Sequence, residues 1–136
     1  MKLDSTSSKN SPAGTCVIGE ADPFLSQLLQ RFVEKSGLHV RLAQSGEALL
    51  ASVFEDRPAV IICEPELPGM LRGWEAVQRL STNEDTRAIP IILCAWLNET
   101  EAQALVGQAL NHLQKPDLHY NDFVKALSEV GITPTP

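Results

Sequence analysis

The stretch Val60-Ile61-Ile62-Cys63-Glu64-Pro65-Glu66-Leu67-Pro68-Gly69-Met70 sets an apolar run against an acid and then a turn. A carboxylate at the end of a buried strand can act as a nucleophile, hold a cation or pair with an ammonium. Other reactive side chains occupy comparable places. Glu20-Ala21-Asp22 follows the run Thr15–Gly19, Cys94 closes the run Ile89–Cys94, and Lys115 follows Asn111–Gln114. Acids near a lysine can neutralise it or bind a cation together, and a thiol near a lysine can become a thiolate.

Chemistry from such scattered residues requires elements that bring them together. Thr15–Gly19 reads as a short buried strand. Asp22-Pro23 opens a helix, with Asp as N-cap and Pro at the first helical position. Phe24, Leu25, Leu28, Leu29, Phe32 and Val33 recur at helical spacing up to Gly37. His39–Ala43 is a weaker strand, and Ser45 caps a helix carrying Leu49, Leu50, Val53 and Phe54. Ala59–Cys63 is a buried strand, and Trp74, Val77 and Leu80 mark a third helix. Ile89–Cys94 is the next strand. Asn98 with Glu101 makes a capping box for a helix carrying Ala102, Leu105, Val106 and Ala109. Asn111–Gln114 is a last short strand, and Tyr120, Phe123, Val124, Leu127 and Val130 form the final helix.

Strands alternating with crossover helices predict an α/β fold. This is a doubly wound (βα)5, flavodoxin-like domain with a five-stranded parallel sheet covered on both faces. In such sheets functional groups gather at the carboxyl ends of the strands. Glu20, Glu64, Cys94 and Lys115 are therefore expected to converge on one pocket.

Composition narrows the function. The chain has 136 residues, 43% of them hydrophobic, which supports one domain with a core. No apolar run reaches the length of a membrane span, and the first residues lack an apolar signal core. The three cysteines, Cys16, Cys63 and Cys94, follow no zinc or disulfide spacing and suit a reducing cytoplasm. A net charge of -6 argues against nucleic-acid binding by this domain. Residues 1–14 read as a disordered tail, 15–131 as the domain, and 132–136 as a tail or the start of a linker. No Ser-His-Asp order, Gly-rich phosphate loop or dinucleotide fingerprint is present, and the acids of "GEADPF" would repel a phosphate.

Over about residues 15–131 the chain resembles the receiver domain of bacterial response regulators, of the CheY-like superfamily. The motifs are the acids after the first strand, Glu64 ahead of Leu67-Pro68-Gly69-Met70, Cys94-Ala95 after the fourth strand, and Lys115-Pro116 after the fifth. The resemblance implies the fold above with strand order 2-1-3-4-5. It also implies a two-component phosphorelay in which an Asp accepts a phosphoryl group beside Mg2+.

The matching positions depart from that chemistry. Glu64 stands where the resemblance places the phosphoacceptor Asp and is one methylene longer. Ala21 stands at an acidic metal ligand. Cys94 replaces a hydroxyl, and a thiol is a weak donor. Glu66 replaces a residue that serves the metal through its carbonyl, and Lys115 is kept. The aromatic switch position on the fifth strand is His112, and the stretch from Cys94 to Lys115 is slightly short. The Gly-Ala-Asp turn expected there reads Gln108-Ala109-Leu110, so a two-state aromatic flip is not expected.

The sequence thus reads as an atypical, phosphorylation-independent receiver and not an enzyme. A Glu64–Lys115 ion pair would partly imitate the phosphorylated state. No cofactor is expected, and Mg2+ binding is expected to be weak or absent. The partner would be a protein or output domain meeting helix four, strand five and helix five, with a homodimer as one form.

Two alternatives stand: a divergent phosphoacceptor using Mg2+ through Glu20, Asp22 and Glu64, and a thiol redox sensor on Cys94. Single residues also carry paired readings. Asp22 is a helix cap or a metal ligand, and Cys94 a small core residue or a thiolate. His112 is a half-buried strand residue or a pH sensor. Trp96 is an interface anchor or a cover folded over the pocket.

Overall fold

The computed structural model describes residues 14–134, so residues 1–13 of the expected N-terminal tail and the terminal 135–136 lie outside the described residues. Ten elements alternate along the described residues. They are β1 (Thr15–Gly19), α1 (Pro23–Lys35), β2 (His39–Ala43), α2 (Gly46–Asp56), β3 (Val60–Cys63), α3 (Gly73–Thr82), β4 (Ile91–Ala95), α4 (Glu99–Val106), β5 (Asn111–Gln114) and α5 (Tyr120–Glu129). The five strands form one sheet in the order β2-β1-β3-β4-β5, and every neighbouring pair is parallel. This is the predicted doubly wound architecture.

Side chains alternate across the strands and build two cores. Val17, Ile61, Cys63, Leu93 and Ala95 face α2, α3 and α4, where Leu49, Val53, Val77, Leu80 and Val106 meet them. Cys16, Ile18, Val60, Ile62, Ile92, Cys94 and Leu113 face α1 and α5, packing on Leu29, Val33, Phe123 and Leu127. Each large aliphatic or aromatic side chain so enclosed contributes about 1.5–3 kcal/mol of apolar burial. Burial on both faces explains why β1, β3 and β4 read as continuous apolar runs instead of alternating ones.

The helix ends follow local chemistry. Asp22 caps α1, its side chain accepting from the Leu25 amide, and Pro23 fills the first helical position. Ser45 caps α2 through the Ala48 amide, and Asn98 with Glu101 forms the expected capping box on α4. Gly107 ends α4 at φ 79, a left-handed value that favours glycine.

Some boundaries differ from the sequence reading. β4 starts at Ile91 because Pro90 has no N–H for the ladder, although the Pro90 carbonyl still accepts from Ile61 at 3.0 Å. The strand also runs one residue further, to Ala95, so Cys94 lies inside it and not beyond its end. Phe24, placed on the apolar stripe of α1, is 74% exposed. The inward stripe is Leu25, Leu29 and Val33, spaced by four, and Phe24 lies one position off it. Ile132, read as the beginning of a tail, packs against the second core and donates its amide to Leu127 at 2.9 Å.

Candidate functional site

Three site residues continue the sheet one position past their strands. The Glu20 amide donates to the Ala43 carbonyl at 3.1 Å, the Glu64 amide to Gly19 at 3.0 Å, and the Lys115 amide to Ala95 at 2.8 Å. Their backbones are thereby fixed at the carboxyl edge, and their side chains converge there. The β3–α3 turn is held equally closely. A Cβ on Gly73 would sit 2.1 Å from the Glu64 carbonyl oxygen, so only glycine allows this approach without a backbone shift.

Lys115 Nζ lies 2.6 Å from Glu64 Oε1 and 2.7 Å from Glu20 Oε1. The Glu64 contact is also a well-aligned hydrogen bond, whereas Glu20 Oε1 has the charge contact alone. Each glutamate turns its second oxygen to an amide two residues on. Glu20 Oε2 accepts from Asp22 at 3.1 Å, and Glu64 Oε2 accepts from Glu66 at 2.9 Å. Pro65 has no N–H, which makes Glu66 the first donor after Glu64. The trio is buried, with Glu20 4%, Glu64 6% and Lys115 3% exposed.

Burial disfavours the charged ammonium, but the close carboxylates of Glu20 and Glu64 outweigh it. The Lys115 pKa is raised above its ordinary value. Around the trio, Ala21 is half-buried against the first core and offers no side-chain oxygen. Asp22 points away: its Oδ1 accepts from Leu25 at 3.0 Å as the α1 cap.

Cys94 is fully buried, and burial pushes its thiol up to about 12, Lys115 opposing the shift only in part. Cys16 and Cys63 are buried and raised for the same leading reason. Trp96 lies against the pocket lysine and stays partly open to solvent. It is 54% exposed, and its ring centroid lies 5.7 Å from Lys115 Nζ. His112 is half-buried, with Nε2 3.1 Å from the Leu97 carbonyl. A carbonyl only accepts, so Nε2 carries the proton in this contact.

Sequence reasoning did not single out Gln114. Its Nε2 lies 2.8 Å from the Trp96 carbonyl, 3.1 Å from Lys115 and 3.2 Å from Ala95. The available signal was a polar residue at the end of the strand "NHLQ", directly before the pocket lysine.

The family model for the response regulator receiver domain matches residues 16–128. A protein-glutamate methylesterase/protein-glutamine glutaminase of Syntrophus aciditrophicus is 32% identical over 132 residues, covering 85% of this chain and 37% of that protein. The chain thus spans just over a third of that relative's length. Protein PilH of Pseudomonas aeruginosa is 30% identical over 91 residues, covering 65% of this chain and 74% of PilH.

Among solved structures, a response regulator from Chloroflexus aurantiacus superposes with a TM-score of 0.77 at 24% identity, covering 86% of this chain and 96% of that one. The receiver domain of a Pseudomonas aeruginosa sensor histidine kinase gives 0.75 at 21% identity, covering 87% and 98%. That structure has a magnesium ion coordinated in its active-site cleft.

The residues here do not fit such an ion. Mg2+ needs near-octahedral oxygen ligands. The Lys115 ammonium already stands between Glu20 and Glu64, Ala21 brings no oxygen, and Asp22 is turned to the helix. Among the described residues no group of three or more His, Cys, Asp or Glu side chains is placed to hold a metal. No helix among them is long and apolar enough to cross a membrane. With the family model spanning nearly the whole sheet, the chain belongs to the response regulator receiver domain family.

Proposed function

We propose that this domain is a pseudo-receiver: a module of a bacterial signalling protein that works without phosphoryl transfer, through protein contacts, and is not an enzyme. The observation that carries the reading is the Lys115 ammonium bridging Glu20 and Glu64 at 2.7 and 2.6 Å. Phosphorylation would need a free carboxylate, a divalent ion beside it and donors for the phosphoryl oxygens. Here both carboxylates are engaged by the protein's own lysine, and the residue matching the family's hydroxyl is a buried thiol. Glu64 brings its carboxylate with the side chain itself, and the pocket has no need of a kinase to acquire it.

The proposed contact surface is formed by α4, β5 and α5. A groove between β5 and α5 is lined by Asn111, His112, Gln114, Asp117, Asp122 and Lys125. Its polar character suits a reversible contact with a partner protein or output domain, of which a homodimer is one form. The setting proposed is the cytoplasm, and the net charge of -6 favours protein over nucleic acid as the partner.

The test is exposure to acetyl phosphate with Mg2+, read by intact mass. The proposal expects no phosphoryl adduct. A stoichiometric adduct on Glu64 would overturn it.

A further inference from the structure

The loop from β4 into α4 begins at Trp96 and Leu97, and two side chains of β5 hold both of these residues. Gln114 Nε2 contacts the Trp96 carbonyl at 2.8 Å, with the Lys115 and Ala95 carbonyls at 3.1 and 3.2 Å. Acceptors surround it on three sides, so the nitrogen end of the amide must point there. It has two protons to share among them. His112 Nε2 donates to the next carbonyl, Leu97, at 3.1 Å. His112 and Gln114 are alternate residues of β5, so their side chains leave the strand on the same side. They grip consecutive carbonyls of the loop.

The grip has a target. Trp96 lies over the Lys115 ammonium, 5.7 Å from ring centroid to Nζ, while remaining half-exposed. A movement of the loop would break the Gln114 and His112 contacts and carry Trp96 off the Lys115 ammonium. Gln114 also bonds the Lys115 carbonyl, so the same side chain ties the loop to the backbone of the residue that Trp96 covers.

We propose that Gln114 and His112 are positioning residues that latch the β4–α4 loop in one conformation. The latch holds Trp96 as a fixed cover on the lysine-bridged pocket and as a fixed part of the contact surface. The second consequence rests on the pseudo-receiver reading above; the latch itself does not. A domain that keeps one loop conformation offers its partner a constant surface, with its affinity undivided between two states.

The test uses the full chain and two variants, Gln114→Met and His112→Phe. Gln114→Met keeps side-chain length and removes the donor at an exposed position. His112→Phe keeps the ring and removes its N–H. Wild type is expected to show no microsecond-to-millisecond exchange at the Trp96, Leu97 and Asn98 amides or the Trp96 indole. Gln114→Met is expected to introduce that exchange and to speed hydrogen exchange of these amides about tenfold, as for the loss of a hydrogen bond or two.

In a Trp74→Phe background, acrylamide should quench Trp96 more strongly once Gln114 is replaced. Gln114→Arg restores N–H donors and should return the quenching toward wild type. His112→Phe should loosen Leu97 and Asn98 first. A purely structural role would lower the unfolding midpoint without changing Trp96 mobility.

Exchange already present in wild type, or loop dynamics unaltered in both variants, would overturn the latch. A wild-type response to Mg2+ with beryllofluoride would instead overturn the pseudo-receiver reading, so the two failures are separable.

Discussion

Glu64 Oε1 accepts a 2.6 Å hydrogen bond from Lys115 Nζ, with both side chains buried. Glu20 completes the arrangement at 2.7 Å. Two carboxylates therefore share one ammonium, and this excess of acid decides how the trio responds to substitution.

Lys115→Met removes the only cation and leaves two buried carboxylates facing each other. Breaking a buried ion pair in this way typically costs about 3–5 kcal/mol. Glu64→Gln leaves Lys115 paired with Glu20 and keeps a hydrogen-bonding oxygen, so its cost is expected to stay below about 2 kcal/mol. Urea unfolding of both variants checks the order. Equal costs would mean that the trio does not act as one charge cluster.

The alkaline limb of stability carries a sign fixed by Lys115. Its folded pKa is raised above 10.5, so the stability it contributes is complete below that value and is lost as pH rises through the folded pKa. The buried thiols act in the same direction, since their folded values lie above the ordinary 9.0. Wild type and Lys115→Met should therefore both weaken above about pH 9. The gap between them should be constant at neutral pH and close only above about pH 10.5. Urea midpoints measured across this range would show it.

Cys94 should be silent in the native state. Burial holds its thiol at about 12, so almost no thiolate is present at neutral pH. A thiol reagent at pH 8 is expected to label it only as fast as the protein unfolds, together with Cys16 and Cys63. Rapid labelling of Cys94 alone would favour the redox reading.

Asp22 should behave as a helix cap. Its Oδ1 serves the Leu25 amide, so Asp22→Ala is expected to cost about 0.5–2 kcal/mol. The Lys115 contacts should survive, because the bond to Glu20 comes from the Asp22 backbone and not its side chain. No loss of stability on this substitution would contradict the cap reading.

The sequence shows the fold more fully than the site. Apolar runs of the β3 type, the Asp22-Pro23 start and the Asn98–Glu101 box each have a local cause, and the structure has them where local chemistry puts them. The pairing of Glu64 with Lys115 was legible because both follow strands that end at the same sheet edge. Glu20 as the second arm was harder to read, since the choice between a cation ligand and a lysine partner depends on side-chain direction. Phe24 misled because period alone does not fix which edge of a helical stripe faces the sheet. Gln114 was missed because its role lies in contacts with carbonyls far along the chain, which no spacing rule encodes.

The most direct measurement is an amide NMR spectrum of the full chain, titrated with Mg2+ and then with Mg2+ plus beryllofluoride. Resonances of Glu20, Glu64, Cys94 and Lys115 are expected to stay in place through both additions, because the ammonium already contacts both carboxylates. Saturable shifts at these residues that spread into α4 and β5 would show a working phosphoryl pocket and contradict the pseudo-receiver reading.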